Sequence, residues 1–234
     1  LKMTNKISGI IFYSKNIKDN DLYIKILSSK DEIITGMVYG GNSSKKKLIY
    51  QNGYFVNFSI SKKSDSFPNI FTAELSKPFI GEIYNDKYKL NALLSILSLI
   101  NISILEGQII RGYYKGIYDL CNNIIYKKHW INFYCEWLFY LLKLIGYQID
   151  YKENLNKKYY NINNNTFTNN SSNDSIQFPH EFFLNYEKTN YNNLKLIFTI
   201  FESILLKNHL DNISNKMPNN YINFKTLILG RLNR

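Results

Sequence analysis

The feature that most constrains the fold is a run of five short segments in the first 80 residues, all rich in β-branched and aromatic side chains. Clusters of Asn, Asp, Ser, Gly and Pro separate these segments at regular spacing, which is typical of the strands of a small sandwich or barrel. Five strands in so short a length predict a compact β-barrel of the OB type. The segments are KISGIIFYS (6–14), DLYIKILSS (21–29), EIITGMVYG (32–40), GYFVNFSIS (53–61) and NIFTAELS (69–76).

The pattern changes after Pro78, where apolar residues begin to recur at helical spacing. Three stretches between Leu90 and Leu144 follow this spacing and predict three packed helices, and Gly146 suits the end of the third. The fold class is therefore α+β: an N-terminal five-stranded OB-fold barrel in residues 1–80, followed by a larger all-α helical domain in residues 81–234.

Two more helices are predicted near the end of the sequence. An amphipathic pattern covers residues 194–210, and a last helix is expected over residues 219–229, after Pro218. Before them, residues 154–175 are nearly all Asn, Ser and Thr without an apolar period, so we predict an Asn-rich loop there. Tyr159 and Tyr160 leave a short strand open as an alternative.

The charge balance favours an anionic partner. The 234 residues contain 29 Lys and Arg against 18 Asp and Glu, a formal net charge of +11. Nucleic acid, an acidic protein tail or an anionic membrane would match this charge. The chain is also saturated with Asn, Ile, Lys and Tyr, whose codons are rich in A and T, so an AT-rich genome would raise the lysine content without selection for binding. Clustering of the lysines is therefore more informative than their total.

Cysteine usage and hydropathy indicate a cytoplasmic protein without a metal or a membrane span. Cys121 and Cys135 form no CxxC pair and lack nearby histidines that would complete a zinc site, so we expect buried thiols and no disulfide framework. The most apolar stretch, residues 90–105, is shorter than the roughly 20 residues that cross a bilayer. No signal peptide is apparent. We expect no cofactor and no membrane partner.

Residues suited to catalysis are few. His129, His180 and His209 are isolated, and no nucleophile stands beside a base. The paired glycines Gly40 and Gly41 lack both the lysine spacing and the following helix of a phosphate-binding P-loop. We therefore predict a protein that is not an enzyme and has no catalytic residues.

The strongest candidate site is a basic turn after the third strand. Lys45, Lys46 and Lys47 follow the paired glycines, and Lys62 and Lys63 end the next strand. OB barrels bind nucleic acids through their loops and one sheet face, with lysines along the phosphates and aromatic rings stacked on bases. We predict a DNA-binding site of these five lysines and Tyr39. The alternative is that the lysines only solvate a surface turn and that most rings of this domain belong to its core.

The order of segments resembles the bacterial recombination mediator RecO. Residues 9–12 correspond to its opening GIVL phrase, residues 20–22 to its ENDLI turn, and Gly40 to Lys47 to its Gly-rich basic phrase. The stretch HWINFYCEWLFYLLKLIGYQID (129–150) is similar to the family's FEWxLLxxLGYxLD helix, and residues 198–228 are similar to its closing pair of helices.

Two departures from the family pattern stand out. Some members carry a zinc-binding cysteine cluster after the LGYxLD phrase, but residues 151–160 contain no cysteine, so no metal is expected. The arginine of the family's late turn is also missing, since Met217 to Asn220 stand in its place.

The resemblance implies a non-catalytic protein of DNA repair. Such a protein would bind single- and double-stranded DNA and anneal complementary strands. It would contact the acidic tail of the single-strand binding protein and act with RecR to load the recombinase.

A second basic group suits the acidic tail. Arg111, Lys115, Lys127 and Lys128 flank apolar helical segments, a combination that fits an acidic peptide with an apolar residue and a terminal carboxylate. These residues are our predicted peptide-binding set. Ordinary solvated helix ends are the alternative interpretation.

Two rival functions stay open from the sequence. One is a metal-dependent enzyme that processes nucleic acid through scattered carboxylates such as Asp19, Asp21 and Asp119. The other is a structural scaffold whose basicity reflects codon bias alone.

Overall fold

The computed structural model describes the backbone of residues 2–3 and all of residues 6–18, 20–210 and 216–233. The chain divides into two compact units, residues 1–125 and residues 126–234. The predicted boundary near residue 80 lies inside the first unit, which contains the strands and the three helices that follow them.

The first unit begins with the predicted barrel. Its strands are β1 (Lys2–Met3), β2 (Ile7–Asn16), β3 (Leu22–Ser28), β4 (Ile33–Val38), β5 (Phe55–Lys62) and β6 (Ile70–Lys77). The strand order is β1-β5-β2-β3-β4-β6, and pairing of β5 with β6 closes the sheet on itself. Neighbouring strands are antiparallel except β4 and β6, which are parallel. The five long strands confirm the predicted OB-fold barrel and the α+β class.

The barrel interior is filled by the apolar residues of the alternating pattern. The buried cluster includes Ile24 and Ile26 of β3, Phe58 of β5 and Phe71 of β6. The Phe58 and Phe71 rings meet edge to face with centroids 5.5 Å apart, a favoured aromatic geometry. Period-two alternation places one face of β3 and β6 in the core, whereas residues 9–12 in the middle of β2 are all buried.

Three helices follow in the first unit: α1 (Phe79–Ile83), α2 (Lys87–Ser103) and α3 (Tyr113–Tyr126). Asp86 caps α2 by accepting hydrogen bonds from the backbone N–H groups of Tyr88 and Lys89. Asp31, in the turn between β3 and β4, accepts from Gly112 N at 2.7 Å and from Tyr114 N at 2.9 Å. The start of α3 is therefore bound to the barrel by one carboxylate.

The second unit is built mainly of helices. They are α4 (Trp130–Leu144), α5 (His180–Leu184), α6 (Tyr191–Leu205) and α7 (Asn219–Leu232), with a 3-10 turn at Tyr186–Lys188 and a π-helical turn at Leu206–Leu210. Aromatic side chains fill its core, and the Tyr134 and Phe224 rings lie 4.5 Å apart. Gly146 has φ +96 just past α4, the left-handed conformation that commonly ends a helix.

The Asn-rich segment contains a small sheet in addition to loops. Its strands are β7 (Tyr159–Asn161), β8 (Thr166–Thr168) and β9 (Ser175–Gln177), in the order β8-β7-β9. Tyr160 lies opposite both Phe167 and Ile176, and the Tyr160 and Phe167 rings are 5.0 Å apart. One apolar residue per strand is enough to bury a small core, yet it is too few to show as alternation in the sequence.

Both cysteines are buried free thiols, as expected. Burial raises the pKa of Cys121 to about 12 and raises the pKa of Cys135 well above its usual value. Among the helices of the described ranges, none combines the length and apolar character needed to cross a bilayer. The apolar stretch of residues 90–105 is mostly the buried helix α2.

Candidate nucleic-acid interface

The paired glycines fold the chain back at the end of β4. Gly40 has φ +63, and its backbone N–H donates to Asp21 Oδ1 at 2.7 Å. Gly41 lies against Leu22 and Val38, where an added Cβ would come within 2.9 Å of either side chain. Asn42 N donates to Asn20 O at 2.8 Å. The loop after β4 is thereby tied to the turn between β2 and β3.

The three consecutive lysines occupy a series of turns that this fold-back begins. Lys47 N donates to Ser43 O at 2.8 Å, and Lys46 Nζ donates to Tyr39 O at 2.8 Å. The side chains of Lys45, Lys46 and Lys47 are exposed. Because Lys46 bonds to the residue directly after β4, this basic turn lies at the end of that strand.

The other two lysines begin the hairpin between β5 and β6. Lys62 Nζ is 3.9 Å from Asp65 Oδ1, and Lys63 Nζ lies 6.0 Å from the centroid of the Phe67 ring. The Phe67 side chain is 52% exposed, so this ring is not part of the core and a partner could contact it. This hairpin therefore presents two amines and one aromatic face to solvent.

Strand register fixes how the two basic segments are placed on the barrel. Met37 of β4 lies opposite Ile70 of β6, and Ile70 lies opposite Ser61 of β5. Adjacent strands are about 4.8 Å apart, so Met37 and Ser61 are separated by on the order of 10 Å. Because β4 therefore runs antiparallel to β5, the chain leaves this level in opposite directions, toward Tyr39 and the basic turn after β4 and toward Lys62 and its hairpin after β5. We call this set the lysine rim: Tyr39, Lys45, Lys46, Lys47, Lys62 and Lys63.

The lysine rim contains little negative charge to offset its amines. Within the described part of the chain, no carboxylate lies within ion-pair distance of Lys45, Lys46 or Lys47. Asp21 accepts from the Gly40 backbone, and Asp65 is fully exposed at the edge of ion-pair distance from Lys62. The rim can therefore attract phosphates, and this attraction is screened by salt.

The aromatic rings of the barrel fall into two groups. Phe12, Tyr50, Phe55 and Phe58 are buried, so the core interpretation holds for them. Tyr39 is 49% exposed on the rim, whereas Tyr13, Tyr23 and Tyr54 are half-buried. Our sequence reasoning did not single out Phe67, although an aromatic residue within the polar hairpin sequence KSDSFPN is a signal that could have identified it.

The predicted peptide-binding set is divided between the two units. Arg111 and Lys115 belong to the first unit, where Lys115 forms an ion pair with Asp119. Lys127 and Lys128 belong to the second, where Lys128 Nζ is 3.6 Å from Glu187 Oε1. Arg111 and Lys127 are exposed. The peptide role of these four residues stays a prediction.

The carboxylates proposed as metal ligands in the alternative enzyme hypothesis have other partners in the structure. Asp21 binds the Gly40 backbone, Asp119 pairs with Lys115, and Asp19 lies outside the described residues. Over the described ranges, no group of three or more His, Cys, Asp and Glu side chains is arranged to hold a metal ion.

Comparison with known proteins finds similarity over the barrel and beyond it. Residues 3–79 match the family model described as Recombination protein O N terminal. Similar curated proteins include DNA repair protein RecO of Rickettsia canadensis (strain McKiel), 29% identical over 148 residues, which cover 63% of this chain and 61% of that protein. DNA repair protein RecO of Rickettsia bellii (strain OSU 85-389) is 28% identical over 149 residues, 64% of this chain and 61% of the relative.

These matches confirm the resemblance to the RecO family, and residues 3–79 are similar to the model of its N-terminal part. The family is one of DNA repair and recombination, as the descriptions of the model and of the relatives state. The matching region spans 61% of the length of each of these relatives.

Proposed function

We propose that this chain is a non-catalytic DNA-binding protein of repair and recombination, which holds single- and double-stranded DNA on the lysine rim. The observation that carries the proposal is the exposed basic turn after β4 of an OB barrel, whose three lysines have no carboxylate within ion-pair distance among the described residues. The loops of this fold are its usual nucleic-acid-binding elements.

Binding to the rim would be tolerant of sequence and sensitive to salt. A lysine amine contacts phosphate oxygens, which carry no information about the base. Five rim lysines on a single strand would give a slope of log K against log salt of at most about −3.5, since each neutralised phosphate contributes roughly −0.7.

Annealing of complementary strands follows from the same charge. Phosphate repulsion opposes the approach of two strands, and amines that neutralise part of it lower that barrier. Neutralisation needs no nucleotide hydrolysis. In this proposal the protein is a cytoplasmic mediator that anneals strands and helps to load the recombinase onto DNA coated with single-strand binding protein.

The proposed protein partners are RecR and the acidic tail of the single-strand binding protein. For the tail, Lys128 borders a cavity of about 190 Å³ in the second unit, which is also lined by Trp130, Ile228 and Arg231. Amines beside an apolar cavity suit a peptide that ends in an apolar residue and a carboxylate. A fluorescent acidic tail peptide should bind at low salt and bind more weakly to a Lys127→Glu, Lys128→Glu variant. Unchanged binding would show that the peptide does not bind at Lys127 and Lys128.

The central experiment measures binding and annealing with one set of variants. Fluorescence anisotropy of a labelled single-stranded oligonucleotide is recorded at about 50 and 200 mM salt, where phosphate contacts change affinity strongly. The rim variant replaces Lys45, Lys46 and Lys47 by alanine. A control variant with the same change in net charge replaces Lys30, Lys152 and Lys158, which are exposed outside the rim. Strand annealing is followed in the same samples without ATP.

The two variants should differ clearly. We expect the rim variant to bind at least tenfold more weakly and to show a smaller salt slope, and we expect the control to stay within about twofold of the unchanged protein. If the two variants bind with equal affinity, Lys45, Lys46 and Lys47 only solvate a surface loop and do not bind DNA. Degradation of the oligonucleotide with Mg²⁺ or Mn²⁺ would overturn the non-catalytic assignment.

A further inference from the structure

The outer face of β2 and β3 carries a set of residues that the lysine rim does not include. Tyr13 lies opposite Lys25, and Lys15 lies opposite Tyr23. Because residues two apart on a strand share a face, the four side chains alternate ring and amine along both strands. We call these four residues the tyrosine–lysine checkerboard.

A β-bulge creates this arrangement. The register between β2 and β3 shifts between Ile11 and Tyr13, so the pairs after the bulge are offset by one residue from those before it. Continuing the earlier register would have placed Tyr13 opposite Ile24, which is buried in the barrel. The bulge thus turns Tyr13 toward the face that carries Lys25.

The checkerboard lines an open cleft. The cleft has a volume of about 540 Å³, and Asn16, Ile17 and Asn101 of α2 complete its lining. The Tyr13 and Tyr23 rings are 6.4 Å apart and close to perpendicular, while Lys25 Nζ lies 5.3 Å from the centroid of Tyr13. Both rings are half-buried, so each is held by packing and is also partly open to the cleft.

Two polar features of the cleft lack a partner within the described residues. The Asn101 Oδ1 atom is buried and accepts no hydrogen bond there. No described carboxylate lies within ion-pair distance of Lys15 or Lys25. The two amines are therefore available to phosphate groups, whereas the Asn101 oxygen is covered by the protein.

The cleft also continues toward the lysine rim. Lys15 lies opposite Tyr23, Tyr23 lies opposite Met37, and the residues directly after Met37 lead to Tyr39 of the rim. A strand held by the rim could therefore extend across β4 and β3 into the cleft, within the range of roughly 4–16 nucleotides that one OB fold binds.

We propose that the tyrosine–lysine checkerboard is a base-stacking subsite for single-stranded DNA. This inference rests on the proposed function. A base stacks on the Tyr13 or Tyr23 ring, and Lys15 and Lys25 contact the flanking phosphates. Duplex DNA does not enter, because its bases are already stacked on one another.

The test separates base contacts from phosphate contacts. Anisotropy compares an oligothymidine of about 15 nucleotides with an abasic strand of the same length and charge. The test variant replaces Tyr13 and Tyr23 by leucine, which retains apolar packing. The matched control is Tyr84→Leu, since Tyr84 is a highly exposed ring of the same unit outside the cleft.

We expect the unchanged protein and Tyr84→Leu to bind the base-bearing strand about tenfold more tightly than the abasic strand. The double leucine variant should lose this preference while keeping its salt slope. In the unchanged protein, photo-crosslinking with an oligonucleotide that contains 5-iododeoxyuridine should attach to Tyr13 or Tyr23, as mapped by mass spectrometry. This second measurement does not depend on the folding of any variant.

The outcomes distinguish this inference from the function on which it rests. If binding is salt-sensitive and lost in the rim variant, but the double leucine variant keeps its base preference and crosslinks map elsewhere, the subsite is overturned and the proposed function stands. If the unchanged protein shows no salt-sensitive binding to either strand, the proposed function fails and the subsite with it.

Discussion

Several carboxylates of the two units have different partners, although the first unit also contains the surface ion pairs Lys6–Glu74 and Lys115–Asp119. In the first unit, Asp21, Asp31 and Asp86 accept hydrogen bonds from backbone N–H groups at a loop or a helix start. In the second unit, Glu202 binds Lys225 Nζ through both oxygens, at 2.6 and 2.9 Å, and Glu187 lies 3.6 Å from Lys128.

This difference shows why a lysine-rich composition is ambiguous. Lysines occur throughout both units, yet an amine beside a carboxylate contributes little field, whereas an amine without one attracts phosphate. Asp21, Asp31 and Asp86 bind backbone groups, so they leave the lysines of the rim largely uncompensated. Pairing, more than number, decides where the basic charge is available to a partner.

The largest effect is expected at the Glu202–Lys225 pair. Replacing Glu202 by glutamine leaves a partly buried amine without its counter-charge, and this should lower the free energy of unfolding by about 1–3 kcal/mol. Urea unfolding of this variant is compared with Glu153→Gln, which alters an exposed carboxylate. If the two variants unfold at the same urea concentration, the Glu202–Lys225 ion pair contributes no more to stability than an exposed carboxylate does.

The next effect tests the backbone role of carboxylates in the first unit. Asp31→Ala removes both hydrogen bonds to the start of α3 and should cost about 1–2 kcal/mol. Asparagine also tolerates the φ of +64 at this position, but its amide has one acceptor oxygen where Asp31 uses two, so Asp31→Asn should recover only part of the loss. The measurement is thermal unfolding followed by circular dichroism. If the asparagine variant is as unstable as the alanine variant, charge rather than capping is the cause.

A smaller effect is expected for lysines of the rim. Lys45→Ala with Lys47→Ala removes two exposed amines without ion-pair partners, so the free energy of unfolding should change by less than about 0.5 kcal/mol. Lys46 is left in place because it bonds to Tyr39 O. Unfolding in urea at low and high salt provides the check. A loss of more than 1 kcal/mol (about one tenth of a typical domain's stability) would show that the rim is a structural element.

The smallest effect at neutral pH concerns a buried tyrosine of the second unit. Burial and then the nearby Asp150 raise the pKa of Tyr160 to about 12, above its ordinary value of 10.0. The neutral ring is therefore favoured by folding, and its contribution to stability is complete below pH 10 and is lost as the pH rises toward 12. Tyr160→Phe should match the unchanged protein at pH 7 and lose less stability between pH 10 and 12. Parallel pH curves would contradict this.

Local patterns were sufficient to predict most of the secondary structure. Each predicted strand of the barrel overlaps the observed one to within two residues at either end, as for 53–61 against Phe55–Lys62. Alternation is strong there because one face is buried. The last helix, expected over 219–229, extends to Leu232. The sheet of the Asn-rich segment could not be predicted in this way, because strands of three residues are too short to show an alternating apolar pattern.

The arrangement of the site depends on features that sequence patterns do not contain. The basic turn was visible as three consecutive lysines, but its placement relative to the hairpin of Lys62 depends on the parallel register of β4 and β6, which is a long-range property. The checkerboard depends on a bulge of one residue, and nothing in the sequence ISGIIFYSKN marks where that residue is inserted.

The contact between β4 and β6 also has a consequence for hydrogen exchange. These strands share a single register pair, Met37 with Ile70, together with the bond from Met37 N to Asn69 O. Gly36 permits this closeness, because an added Cβ would lie 2.5 Å from Asn69 O. Local opening is easiest where the fewest bonds must break. The Met37 amide should therefore exchange with deuterium before those in the middle of β3, which makes it a reporter of whether bound DNA keeps the barrel closed.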